Sequence, residues 1–169
     1  KTTLLLQLIK HRCDSKEKPF YVSADHTYFS DNCLFDFVRE LHLAEGVNRI
    51  FIDEIHKYAG WNQELKNIYD SFPRLHVVFS GSSSLNLVKG AYDLSRRALI
   101  FHLPGLSFRE YLNFQLDTEF ETLSLDSIIG NSNVTSDIAA VPGLIGHYRS
   151  YLATGYYPFS LSDTTHFYQ

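Results

Sequence analysis

The sequence contains no methionine, only two cysteines and no long apolar run. Two thiols, Cys13 and Cys33, are too few for a disulfide framework in 169 residues, so we expect a reducing, cytoplasmic setting. No apolar stretch approaches the roughly 20 residues that cross a bilayer, and no leader peptide is visible, so no membrane association is expected. Because Met is absent and the first residues already have a helical pattern, we expect an internal fragment of a longer protein.

An excess of basic charge is also missing. The chain has 15 Lys and Arg against 19 Asp and Glu, a formal net charge of -4. This balance does not indicate a nucleic-acid-binding surface, although it is compatible with a local basic patch. The eight histidines show no spacing typical of a zinc site. With 44% hydrophobic residues, the composition is that of a globular domain.

What the sequence does contain is an alternation of helical and strand patterns. Helices are predicted over residues 2–11, from 34 to about 46, and over 61–72 and 84–89. Short apolar runs typical of buried strands occupy residues 20–22, 49–53, 76–80 and 99–103. This alternation predicts an α/β domain with a parallel sheet.

The alternation ends after residue 103. Residues 107–114 are predicted to be helical, with Ser107 and Glu110 in the spacing of a capping box. Residues 117–141 are polar and acidic and include a predicted loop at 131–133, and residues 144–152 are predicted to be helical. We therefore predict a core domain over residues 1–115 and a partial helical region over residues 116–169.

Two adjacent carboxylates, Asp53 and Glu54, close the apolar run at residues 49–53. Ligands of parallel α/β sheets bind beyond the carboxyl ends of the strands. An acid in this place can hold Mg²⁺, which prefers oxygen ligands, and its neighbour can orient or deprotonate an attacking water. The alternative interpretation is a solvated acidic turn.

A second candidate lies at the start of the chain, where Lys1, Thr2 and Thr3 open a helix. In a phosphate-binding loop, a Lys reaches the β and γ phosphates and the following Ser or Thr binds Mg²⁺. The helix N-terminus adds its positive dipole end. Only the Lys-Thr pair of that motif is in the sequence, so the pattern is weak by itself.

Four motifs in order make a family resemblance specific. They lie at residues 50–57 (IFIDEIHK), 77–83 (VVFSGSS), 103–111 (LPGLSFREY) and 151–159 (YLATGYYPF). Together with Trp61 they resemble a bacterial and archaeal group of AAA-type P-loop ATPases, and the resemblance spans nearly the whole chain. It implies ATP and Mg²⁺ as cofactors, and a three-layer parallel-sheet core followed by the start of a helical lid.

The resemblance also implies roles for individual residues. Lys1 matches the phosphate-binding lysine, Thr2 the Mg²⁺-binding hydroxyl, with Thr3 beside it in the nucleotide site. Asp53 matches the acid that binds Mg²⁺, and Glu54 matches the catalytic glutamate.

Two further roles are implied with alternatives. Ser80 lies where such ATPases place a polar sensor of the γ-phosphate, with Ser82 as the competitor. Arg97 lies where they place an arginine that reaches a neighbouring subunit's site, with Arg96 as the alternative. A homo-oligomer is the corresponding expectation.

The strand and glycines that precede the lysine in this family are not in the chain. We therefore expect a core without its first strand, with a gap or a collapsed pairing between residues 76–80 and 99–103. We also expect the chain in this form to bind Mg-ATP weakly or not at all and to be inactive, while the intact protein hydrolyses ATP.

Two other functions remain as alternatives. Residues 53–56 (DEIH) also spell a helicase-type box, which would make the protein a nucleic-acid motor, although Ser80-Gly81-Ser82 departs from the Ser-Ala-Thr usual on the next helicase strand. The other alternative is a nucleotide-loaded switch that turns over slowly or not at all.

Overall fold

A computed structural model describes residues 1–13, 18–82, 94, 96–130 and 136–158. The chain divides into two compact units, Lys1–Phe101 and His102–Gln169. This boundary lies before the division at residue 115 that we expected, so the helix at residues 108–116 belongs to the second unit. The functional division into an ATPase core and a lid stays a prediction.

The first unit contains a parallel sheet of three strands in the part of the chain described. The strands are β1 (Pro19–Ser23), β2 (Arg49–Asp53) and β3 (His76–Phe79), in the order β1-β2-β3. The register places Ser23 of β1 opposite Asp53 and Phe79 of β3 opposite Ile52. The predicted α/β class is confirmed, and the three strands match the predicted runs to within one residue at each end.

Helices cover both faces of this sheet. Helix α1 (Thr2–Arg12) packs on the face to which Phe51 and Asp53 point, and Leu5 is its buried residue. Helices α2 (Leu34–Ala44) and α3 (Trp61–Ser71) pack on the opposite face. The result is the three-layer arrangement that the family resemblance implied.

The main hydrophobic core lies between β2 and the two helices of the second face. Ile50 and Ile52 alternate with Phe51 along β2 and are fully buried, as the period of two in a strand requires. They contact the apolar stripes of the two helices, which include Leu34 and Val38 of α2, and Trp61, Leu65 and Ile68 of α3. This core holds the carboxyl end of β2 in a fixed position.

The strand predicted at residues 99–103 is wrong. These residues form no strand, and Leu99 and Phe101 are 85% and 87% exposed. A strand needs a neighbour to satisfy its backbone groups, and among the described residues β3 pairs with β2 alone. Among the described residues, the expected collapsed pairing of residues 99–103 with β3 is therefore absent.

The second unit is helical where the structure describes it. It contains α4 (Phe108–Leu116), α5 (Leu125–Gly130), α6 (Ser136–Ala139) and α7 (Leu144–Ser150), which continues into one π-helical turn, Tyr151–Gly155. The predicted capping box of α4 is confirmed, because the Ser107 side chain accepts from the Glu110 amide and the Glu110 side chain accepts from the Ser107 amide. The two short helices α5 and α6 fall in the polar segment at residues 117–141, on either side of the loop predicted at 131–133.

Tyrosines pack the π-helical turn against α4. The Tyr151 hydroxyl donates to the Leu106 carbonyl at 2.8 Å, and the rings of Tyr111 and Tyr151 lie 5.5 Å apart. The predicted helix at residues 84–89, the loop at 131–133 and Phe159 of the last motif lie outside the described residues. Within the described part, no helix is long and apolar enough to cross a membrane.

Candidate functional site

Asp53 is the centre of the candidate site. Its side chain lies at the carboxyl end of β2 and is only 2% exposed. A buried carboxylate is costly unless its oxygens accept hydrogen bonds, and here both do. Oδ2 accepts from the Thr2 hydroxyl at 2.5 Å and from the Tyr21 hydroxyl at 3.0 Å. Oδ1 accepts from the Ser80 hydroxyl and, at 3.0 Å, from the Glu54 amide.

These four donors keep Asp53 ionised. Burial by itself raises the pKa of the Asp53 carboxyl, but the hydrogen bonds from Ser80, Thr2, Tyr21 and the Glu54 amide outweigh it and lower the pKa below its usual value. The site therefore presents a fixed negative charge at the end of the central described strand.

The start of α1 lies beside this carboxylate. Lys1 is the N-cap of the helix and Thr2 its first residue, so Thr2 brings its hydroxyl to Asp53 although 51 positions separate them in sequence. The Lys1 ammonium donates to the Gly81 carbonyl at 2.5 Å, beyond the end of β3. The Thr2 hydroxyl, at the positive end of α1, thus contacts the buried acid, while the Lys1 ammonium contacts the carbonyl that follows Ser80.

Glu54 turns the chain away from β2. Its backbone is left-handed, with φ 51° and ψ 37°, and leads into a 3-10 turn at Ile55–Lys57. A non-glycine residue rarely adopts this conformation, which costs of the order of 1–3 kcal/mol and is concentrated at functional sites. The side chain is one-third exposed, in contrast to the buried Asp53 beside it.

The residues after β3 complete the cluster. Ser80 continues the ladder with β2, because its amide donates to the Ile52 carbonyl at 2.9 Å and its carbonyl accepts from the Ile55 amide at 2.9 Å. This pairing directs the Ser80 hydroxyl at Asp53. Ser82 contacts His56 instead, with its amide 3.3 Å from Nδ1 and its hydroxyl 3.2 Å from Nε2.

The comparisons with known proteins agree with this geometry. The sequence profile of a family described as "AAA domain" matches residues 1–112, about two thirds of the chain. The chain belongs to the AAA domain family. An uncharacterized protein of Methanocaldococcus jannaschii is 33% identical over 96% of this chain, and the chain spans 37% of that relative's length. No solved structure matches.

Membership makes this unit a nucleotide-binding P-loop domain. The residues present fit the Mg²⁺ that accompanies ATP in AAA domains, since Thr2 and Asp53 offer only oxygen donors within 2.5 Å of each other. In the described ranges no three His, Cys, Asp or Glu side chains are arranged to hold a metal. Two protein oxygens are sufficient, because Mg²⁺ takes its other ligands from water and phosphates.

The remaining predicted residues of the AAA domain lie apart from Asp53. Thr3 is exposed in the first turn of α1. Arg97 binds Asp70 of α3 through two hydrogen bonds of 2.9 and 3.1 Å, and Arg96 is exposed. Their proposed roles in nucleotide binding or in a neighbouring subunit stay predictions.

Sequence reasoning missed two residues of this site. Tyr21 on β1 donates to Asp53, and its own pKa is raised first by burial and then by the hydrogen bond to that carboxylate. His56 lies between Glu54 and Ser82. The signal for Tyr21 is the parallel register, since Tyr21 is paired with Phe51 and therefore lies on the same sheet face as Asp53. His56 stands out in the sequence only as part of a helicase-like string.

Proposed function

We propose that, in the intact protein, this AAA domain binds Mg-ATP and hydrolyses it, and that the protein uses the cycle to drive a conformational or assembly task. The observation that carries the proposal is the 2.5 Å contact between the Thr2 hydroxyl and Asp53. It joins the residue after the phosphate-binding lysine to the acid at the end of β2, and these are the two oxygen ligands that such ATPases use for Mg²⁺.

Lys1 and the amino end of α1 are proposed to bind the phosphates. Lys1 exchanges its contact with the Gly81 carbonyl for the β and γ phosphate oxygens, to which its charge is attracted. The amino end of α1 faces the same anion with its positive dipole end. When bound, Mg²⁺ neutralises charge on the phosphate oxygens, with Thr2 and Asp53 as its protein ligands.

Glu54 is the proposed general base. Its carboxylate is one-third exposed and adjacent to the buried acid, so it is accessible to a water beside the γ-phosphate. The water oxygen forms a bond to the γ-phosphorus while the bond from that phosphorus to the leaving oxygen of ADP breaks, and Glu54 accepts the water proton. Ser80 supports the step by fixing Asp53 and is our candidate for the γ-phosphate sensor, ahead of Ser82.

Arg97 is proposed to act on the site of a neighbouring subunit in a homo-oligomer. Its guanidinium is 28% exposed and paired with Asp70 on the surface of α3. A guanidinium held by a surface carboxylate can exchange that partner for a phosphoryl group at a subunit interface. Arg96, one residue earlier, is the alternative.

The two adjacent threonines offer a matched test of the Mg²⁺ site. Thr2→Val removes the hydroxyl that contacts Asp53 while keeping the side-chain shape, and Thr3→Val makes the same change at the exposed neighbour. In the full-length protein we expect Thr2→Val to raise the Mg²⁺ concentration for half-maximal ATP turnover at least tenfold. Thr3→Val should leave it within about twofold. Equal effects of the two substitutions would contradict the assignment of Thr2.

A further inference from the structure

His56 contacts both Glu54 and Ser82, which have separate roles in the proposed mechanism. It lies in the 3-10 turn after Glu54, and its side chain is only 13% exposed. One ring nitrogen, Nε2, lies 3.5 Å from Oε2 of Glu54 and 3.2 Å from the hydroxyl of Ser82. The ring thus stands between the proposed base and the segment that follows β3.

The contact with the Ser82 amide assigns the tautomer of the neutral ring. That amide can only donate, so Nδ1, 3.3 Å away, is the acceptor. The ring proton is then on Nε2, which faces both Glu54 and the Ser82 hydroxyl. His56 therefore presents a donor toward the Glu54 carboxylate in an orientation that Ser82 fixes.

Three consecutive residues after β3 each contact a different part of the nucleotide machinery. We call residues 80–82 the β3 tip. The hydroxyl of Ser80 donates to Asp53, the carbonyl of Gly81 accepts from Lys1, and Ser82 contacts His56. When Lys1 leaves the Gly81 carbonyl to bind a phosphate, the β3 tip loses one contact and can move. The His56 ring, which contacts both Ser82 and Glu54, would transmit that movement to the Glu54 carboxylate.

We infer that His56 is a positioning residue for Glu54, which ties the orientation of the Glu54 carboxylate to the β3 tip through Ser82. The inference rests on the proposed function in giving Glu54 the role of general base. The proposed coupling of the histidine ring to nucleotide binding does not depend on that role. A histidine that merely fills space would influence folding, but it would not separate turnover from ATP affinity.

The test uses the full-length protein and three substitutions at this contact. His56→Phe keeps a ring but removes both nitrogens, His56→Gln restores an amide donor and acceptor, and Ser82→Ala removes the hydroxyl. We expect His56→Phe to lower kcat at least tenfold with the Kd for Mg-ATP within about threefold. His56→Gln should recover part of kcat. Ser82→Ala combined with His56→Phe should be no slower than His56→Phe alone, because both changes break one connection.

A measurement without turnover accompanies the kinetics. The ¹⁵N signals of the His56 ring report its tautomer, and we expect the Nε2–H form in the free protein and a changed signal with Mg²⁺ and a non-hydrolysable ATP analogue. Ser82→Ala removes the hydroxyl contact with Nε2 and keeps the amide contact with Nδ1, so it should reduce that change. Ring signals indifferent to the analogue, or a His56→Phe protein that turns over like the parent, would overturn the inference.

The two proposals fail in different ways. A parent protein that binds Mg-ATP without hydrolysing it contradicts the proposed function, and the ring signals still decide the coupling. A parent that hydrolyses ATP, is inactivated by Glu54→Gln and is unaffected by His56→Phe keeps the function and removes the role of His56. Equal loss of kcat in His56→Phe and His56→Gln, with weakened ATP binding in both, would also contradict the positioning role.

Discussion

At the scale of single residues, the site depends on how differently two adjacent acids are placed. Asp53 is buried and accepts hydrogen bonds from four donors, so its charge is held in position. Glu54 is one-third exposed and stands on a left-handed backbone that the Asp53 carboxylate supports through the Glu54 amide. Asp53 is thus placed to hold a cation and Glu54 to contact water. The left-handed turn at Glu54 produces this difference in exposure between the two side chains.

The left-handed backbone of Glu54 leads to a prediction about stability. Alanine is strained in this conformation and glycine is not, so Glu54→Gly should be more stable than Glu54→Ala by about 1 kcal/mol. The order is the opposite of that expected in a helix or strand. Denaturant unfolding of the two proteins measures the difference.

A matched pair within α2 gives the control for this comparison. Glu40 is exposed in the interior of that helix, where Glu40→Gly should be less stable than Glu40→Ala by about 0.5–1 kcal/mol. Glu54→Gly and Glu54→Ala both remove the carboxylate, so the loss of its interactions cannot explain a difference in stability between the two proteins. An alanine protein as stable as the glycine protein would show that this backbone conformation is not strained.

Single residues are predictable where the chemistry follows from local sequence. Asp53 and Glu54 can be found because an apolar run ends in acid, and Lys1 and Thr2 because they open a helix. Tyr21 escapes prediction, because a tyrosine within a strand has the same pattern whether it faces a carboxylate or solvent. Its role depends on the pairing of β1 with β2, which no local pattern encodes.

At the scale of elements, the π-helical turn of the second unit depends on a glycine. A Cβ at Gly155 would lie 2.6 Å from Cδ2 of Tyr111, whose ring is buried, and 2.9 Å from the Tyr151 ring. Gly155→Ala must therefore displace the turn from α4, and we expect it to destabilise this unit by about 1–3 kcal/mol. Thermal unfolding followed by far-UV circular dichroism checks the loss.

Gly146 is the control for this substitution. It lies inside α7, and a Cβ added there would have no heavy atom within 4 Å, so Gly146→Ala gains helix propensity without a clash. We expect it to stabilise the protein by about 0.5–1 kcal/mol. If both alanines raised stability, the close packing of the π-helical turn on Tyr111 would be contradicted.

Elements are predictable when their pattern and their neighbours agree. The capping box of α4 is a local arrangement, and the structure contains it as predicted. Residues 99–103 have the same apolar character as β2, but apolarity does not provide a partner strand, and they remain exposed and unpaired in this structure. The bounds of the short helices α5 and α6 escape prediction because segments of six and four residues are too short to show a helical period.

At the scale of the whole molecule, the fold brings distant parts of the sequence to the carboxyl ends of the strands. Parallel pairing places the carboxyl ends of β1, β2 and β3 side by side, and α1 begins beside the end of β2. Thr2, Tyr21 and Ser80 therefore all contact Asp53 although they are far apart in sequence. The family order of elements predicts this meeting, which composition and charge do not.

We propose that, in the intact protein, this domain hydrolyses ATP with Glu54 as the general base. The most direct measurement is phosphate release from Mg-ATP by the full-length protein and by its Glu54→Gln variant, with ATP binding measured in parallel. We expect the parent to turn over and the variant to bind ATP but to be at least about 100-fold slower. Turnover of the variant at the parent's rate, or no turnover by a parent that binds Mg-ATP, would contradict it.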